Sequence, residues 1–198
     1  MKIDIQDVLF WMDAIRNSKD RYRTLESFWK GQVRSKIWLI EQLTNYVKSE
    51  PNEIVIHGGW NGVLSSLLFN SDIEIEKITS LDIDPTCEAI ATTVNKNQEM
   101  QGRFHAVTGD MCKHKYQADI VINTSCEHVT DQQIQTWFNN IPKDTTIIMQ
   151  SNNYFELDEH VNCVNSSNEL AEKVNFSSYT VFELELPKYI RYMVIGTK

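Results

Sequence analysis

The chain has 198 residues, of which 41% are hydrophobic and 23% charged, a composition that supports one well-cored domain and excludes disorder or a second full domain. Nineteen basic residues against 27 acidic ones leave a net charge of −8, which argues against broad contact with a nucleic-acid backbone, although a local basic patch over residues 19–36 stays open. No apolar run approaches the ~20 residues that a membrane span needs, and MKIDIQDVLFWMDAIRN lacks a signal-peptide core, so a soluble, cytoplasmic protein is expected.

Ile5, Val8, Leu9 and Met12 recur at helical spacing behind Asp4, a natural N-cap, and predict a helix over 4–17. After a polar break, one longer helix is expected from Thr24 to about Lys48. Its polar and aromatic residues, Lys36 and Trp38 among them, are either a solvated face with half-buried tryptophans or a wall over a ligand site. Ser49, Glu50, Pro51 and Asn52 then interrupt it.

Strands and helices alternate from there. Strands are expected at 53–57, 77–82, 103–107, 119–123 and 145–149. Helices are expected at 62–69, from Pro85 to about Asn97 with Asp84 as N-cap, and from Thr130 to Asn140 behind a Thr130–Gln133 capping box. A further helix opens at Ser166 with Glu169 three residues on. The runs 178–186 and 189–197, joined only by Pro187 and Lys188, require an antiparallel hairpin. The pattern reads as an α/β fold: seven strands in a mostly parallel sheet with one antiparallel strand, helices on both faces, and residues 1–50 as an N-terminal helical cap on a 51–198 domain.

In such a sheet a ligand sits beyond the C-terminal strand ends, at the switch point of strand order. The first strand runs straight into His57, Gly58, Gly59, Trp60, Asn61 and Gly62, a turn whose glycines permit tight geometry and close approach of a ligand. The second strand ends in LDID. Asp82, 24 residues after Gly58, can accept hydrogen bonds from both hydroxyls of a ribose, whereas Asp84 before Pro85 fits a plain helix cap. Behind the third strand comes TGDM, where Asp110 could meet an adenine amino group with Met111 alongside, or could serve only as a turn residue. The fourth strand opens into NTSCEH, which crowds Asn123, Ser125, Glu127 and His128 into one loop.

HGGWNG, SLDIDP, TGDM and DIVINTSCEHV, in that order, resemble the signature positions of the class I S-adenosylmethionine-dependent methyltransferases over about residues 50–198. The resemblance implies a seven-stranded Rossmann-like fold and S-adenosylmethionine as cofactor. It implies a cofactor site made of His57, Gly58, Gly59, Trp60, Asn61, Gly62, Asp82, Ile83, Asp110, Met111 and Asn123. The family's loop reads G-x-G-x-G, and Trp60 stands where its middle glycine would be, so whether Gly58 or Gly59 leads stays open. A nicotinamide dinucleotide would need a pyrophosphate cradle, and Gly59-x-x-Gly62 supplies too little of one.

Position alone nominates Glu127 or His128 as the base that deprotonates an acceptor, with Asn123 orienting it. Lys36, Trp38, Asn152, Asn153 and Tyr154 are candidates for the substrate wall. The expected acceptor is a small molecule or a protein, with RNA not excluded and no membrane partner; oligomeric state is not legible. A non-catalytic module that keeps the fold and binds cofactor or a protein is the rival reading. Cys126 with His128, and Cys112 with His114, lack the spacing of a zinc site, so no metal is expected and the four cysteines should be reduced thiols.

Overall fold

The computed structural model describes residues 1–47, 51–115 and 117–198. Seven strands form one sheet: β1 (Glu53–His57), β2 (Lys77–Asp82), β3 (Phe104–Thr108), β4 (Ile120–Asn123), β5 (Thr146–Asn152), β6 (Ser178–Glu185) and β7 (Ile190–Thr197). Their order is β3-β2-β1-β4-β5-β7-β6, with only β7 running against the others. The chain leaves β1 toward one edge and resumes at β4 toward the other. The switch point therefore lies between β1 and β4, where His57 pairs with Asn123 at the strand ends.

Alternation along β1 explains the two cores. Ile54 and Ile56 face a layer built from Leu39, Leu43, Leu64 and Leu68, while Val55 faces Ile134, Trp137 and Leu170 on the other side. The first layer comes from α3 (Lys30–Tyr46) and α4 (Val63–Phe69), the second from α7 (Asp131–Asn140) and α8 (Ser167–Glu172). Residues expected as a cap thus supply a large part of one core face. α1 (Ile5–Asn17) is tied to the same layer: Trp11 Nε1 donates to Ser66 Oγ at 3.0 Å, and buried Asp7 accepts from Asn70 and Asn97, each at 2.6 Å.

Three expected elements shift by more than one residue, each for a local reason. The helix expected from Thr24 is two helices, α2 (Arg21–Glu26) and α3. Asp20 caps α2 through the Arg23 N–H, and buried Ser27 donates to the Thr24 carbonyl at 2.6 Å, closing it. Its expected end at Lys48 and break at Ser49 and Glu50 lie outside the described residues. The helix from Pro85 ends as α5 (Pro85–Val94) before a short α6 (Lys96–Met100), because the Asn95 amide turns to the carbonyls of Gly62 and Ala91, both at 2.9 Å. β5 runs three residues beyond the expected 149, to Asn152, since β7 pairs along its whole length from Thr146↔Thr197 to Asn152↔Arg191.

The capping box at Thr130 and Gln133 forms in full. At α8 the Ser166 hydroxyl caps the Glu169 N–H, but Glu169 reaches back to the Asn165 N–H instead of Ser166. Among the described residues no helix is long and apolar enough to cross a membrane.

Candidate functional site

The turn after β1 is shaped by what its glycines lack. Gly58 has φ +64° and Gly62 φ +71°, conformations a side chain would strain. At Gly59 the constraint is contact: a Cβ there would lie 2.0 Å from Ser80 Oγ on β2. The Gly59 N–H donates to the Leu81 carbonyl at 3.1 Å, so the turn is pinned onto the neighbouring strand. Half-buried Trp60 occupies the left-handed region with φ +48°, unusual for so large a residue. Its N–H donates to Asp82 Oδ2 at 2.8 Å, joining the glycine turn directly to the acidic end of β2.

Asp82 and Asp110 come to the same end of the sheet. The Gly109 N–H donates to the Asp82 carbonyl at 2.8 Å, which sets TGDM beside LDID. Each Asp82 oxygen holds one backbone N–H, from Trp60 and from Asp84, and keeps lone pairs for another donor. Ile83, next to Asp82 in the chain, stands 71% exposed, an apolar surface suited to the flat face of a base. The Cys112 N–H, helped by Lys113, holds the Asp110 carboxyl below its ordinary range. Asp84 does cap its helix, through Thr86, and pairs with Arg23 at 2.6 Å.

His57 points elsewhere. It lies on the second face, where its Nδ1 accepts from Trp137 Nε1 at 2.8 Å. Burial, and then the nearby His114, lower its pKa to about 4, so the ring is neutral. Asn61 is buried in the turn. Asn123 is buried as well; its Oδ1 accepts from Ser125 N–H at 2.9 Å and its amide nitrogen lies 3.4 Å from Met111 Sδ.

Beyond the ends of β4 and β5, a second group of polar residues is organised by Arg191, which sequence reasoning missed. Glu127 is only 4% exposed, and its Oε1 accepts from Arg191 Nη1 at 2.5 Å and from Asn152 Nδ2 at 2.8 Å. Arg191 Nη2 also donates to the Thr124 carbonyl. The Lys36 ammonium falls to about 7 because burial disfavours its charge and Arg191 repels it, with Glu127 pulling the other way; the residue as a whole is half-buried. Lys36 Nζ donates to Gln32 at 2.9 Å.

Among the expected wall residues, Asn152 donates to Glu127 and ties the end of β5 to the turn after β4, while Asn153 Oδ1 accepts from the Ile190 N–H at 2.7 Å and ties the residue after β5 to β7. Tyr154 stacks on Tyr189, centroids 5.8 Å apart. Trp38 goes into the first core with Leu39 and Ile40. His128 and His160 meet edge to face at 4.8 Å. Two surface hollows, one around Phe69 and Arg103 and one around Asp119 and Lys143, lie where the strands begin, at the far end from these groups.

No protein-family model matches the chain, and no curated protein sequence does either. Solved structures do. The mitomycin 7-O-methyltransferase MmcR superposes with a TM-score of 0.65 at 16% identity, over 95% of this chain and 60% of its own. The magnesium protoporphyrin IX methyltransferase ChlM from Synechocystis PCC 6803, solved with bound SAH, gives 0.67 at 12% identity, over 98% of this chain and 94% of its own. The spermidine synthase from Thermotoga maritima gives 0.53 at 16%, over 75% of this chain and 53% of its own. The chain spans about three fifths of the length of MmcR and of PigF, another match solved with SAH. Together with the strand order and the reversed β7, these likenesses establish that the chain has the Rossmann-like fold of the class I S-adenosylmethionine-dependent methyltransferases.

Proposed function

We propose that the chain transfers the methyl group of S-adenosylmethionine to an oxygen or nitrogen of a small-molecule or protein acceptor. The observation that carries this reading is Asp82, which holds the glycine turn through the Trp60 N–H and still offers lone pairs beside exposed Ile83 and Asp110. Those residues fit an adenosine: Asp82 would accept from the ribose hydroxyls, Asp110 from the adenine amino group, and Ile83 would cover one face of the ring. No phosphate cradle is needed for this ligand, and the turn does not supply one.

When bound, the cofactor supplies a methyl group made electrophilic by its sulfonium. What remains for the chain is alignment of the acceptor and handling of its proton. Lys36, with its pKa near neutrality, fits the role of proton acceptor better than Glu127, which is held in a buried ion pair with Arg191. Glu127 then acts by holding Arg191 and Asn152 in place, and Asn123 fixes the loop that carries Ser125. His128 and Tyr154 border the acceptor side. The net charge of −8 favours a small molecule or protein over nucleic acid.

Calorimetric titration with S-adenosylmethionine and S-adenosylhomocysteine tests the reading. Binding of both, followed by transfer of labelled methyl to a component of a cell extract, is expected. Failure of both ligands to bind defeats it, and binding with no transfer to any acceptor reduces the chain to a cofactor-binding module.

A further inference from the structure

A carboxylate oxygen of Glu127 and ring nitrogens of His128 and His160 lie within 4.8 Å of one another. The histidines come from different segments: His128 ends the short 3-10 turn Cys126–His128 after β4, and His160 sits in the segment between β5 and α8. Neither motif considered from sequence makes this cluster: Cys126 is fully buried and turns its Sγ toward the Asn123 carbonyl, and Cys112 turns its Sγ toward the Gln133 carbonyl.

The hydrogen bonds around the histidines decide which nitrogens are available. His128 Nδ1 faces the Glu159 carbonyl at 3.1 Å, and His160 Nδ1 faces the Tyr154 carbonyl at 2.7 Å. A carbonyl can only accept, so both Nδ1 atoms carry the proton and both Nε2 atoms keep a lone pair. Backbone carbonyls that fix the tautomer in this way are the usual outer support of a metal-binding imidazole. Independently, Glu127 Oε2 is buried without a hydrogen-bond partner, although Oε1 has two. A buried carboxylate oxygen left so is costly unless a cation or donor meets it.

We propose that Glu127, His128 and His160 bind one divalent first-row transition cation of the Zn²⁺ type. Two imidazoles and one carboxylate suit such a cation and disfavour Mg²⁺ or Ca²⁺, which take oxygen ligands. Ligands ~2.0–2.1 Å from a metal stand closer together than the present spacing, so the exposed His128 ring closes in on binding. Arg191 opposes the added charge, while exposed Glu156, Asp158 and Glu159, on the segment that carries His160, favour it. Three protein ligands leave a position for an oxygen of the acceptor, a role that rests on the methyl-transfer reading; the cation site itself does not.

The test is calorimetric titration of the chelator-treated full chain with Zn²⁺, with Mg²⁺ as the comparison, for the unaltered protein and for His128→Ala, His160→Ala and His105→Ala. One equivalent of Zn²⁺ should bind and Mg²⁺ should not compete. Each of the first two substitutions should weaken Zn²⁺ by at least about tenfold, and the exposed β3 residue His105 should leave it unchanged. Affinity for S-adenosylhomocysteine, measured in parallel, should be the same in all four proteins, which reports both folding and the cofactor reading separately. No saturable Zn²⁺ binding, or binding unaltered in both His128→Ala and His160→Ala, overturns the proposal.

Discussion

Glu127 and Arg191, 64 residues apart in the chain, form an ion pair at 2.5 Å that water barely reaches. Removing one partner of such a pair leaves the other charge buried and uncompensated. Arg191→Met should therefore cost about 3–5 kcal/mol of stability. The double variant Glu127→Gln/Arg191→Met should recover most of it, since neither charge remains. Urea denaturation of the three proteins measures this; a single variant as stable as the parent would mean that the pair is dispensable.

Asp82 links the glycine turn to the proposed cofactor edge, and its neighbour Asp84 serves as an internal control. Asp82→Ala should weaken S-adenosylhomocysteine binding by about 1–3 kcal/mol through lost hydrogen bonds. Asp84→Ala removes a helix cap and the Arg23 pair, so it should cost about 1 kcal/mol of stability while affinity stays. Calorimetry on both variants separates the roles, and equal affinities would take Asp82 out of the site.

Gly59 tests the contact between the turn and β2. Since a Cβ would fall 2.0 Å from Ser80 Oγ, Gly59→Ala should destabilise by about 1–3 kcal/mol. Ser80→Gly in the same chain should restore most of the loss by clearing that space. Thermal melting of the single and double variants decides it, and failure of the second change to rescue would point to backbone strain instead.

His57 gives an acid-side dependence. Its pKa falls from 6.5 to about 4 on folding, so between those values the unfolded chain binds a proton that the native chain does not. The contribution is fully present above pH 6.5, declines as the pH drops toward 4, and amounts to on the order of 3 kcal/mol when lost. His57→Gln should flatten this part of the stability curve. Urea midpoints between pH 7.5 and pH 4 provide the measurement, and an unchanged slope in the variant would assign the acid sensitivity to other groups.

The β/α alternation and the strand ends were legible because each rests on local spacing: buried apolar triplets, a proline behind Asp84, a glycine-rich turn. His57 shows the limit of that reading. Its position in the turn said nothing of which sheet face it takes, and strand parity sends it to Trp137, 80 residues away. Arg191 was hidden for a related reason. It sits in an ordinary strand run, YIRYMVIGT, and acquires its role only when β7 lies beside β5 and sets it opposite Asn152. A lone charge inside an otherwise apolar strand was the available signal. Helix ends at Ser27 and Asn95 were missed because side chains there bond carbonyls, one of them from Gly62 on a different element.

The placement of β7 between β5 and β6, both of which precede it in the chain, has a kinetic consequence. During synthesis β5 waits with one long margin unpaired until the hairpin arrives, and two-strand hairpins are marginal alone. The two final strands must then dock together as a wedge, and only that event brings the counter-charge to Glu127. Refolding should accordingly end in a slow step that reports on this docking, and the window before it is when the unfinished sheet is most open to joining another copy of itself.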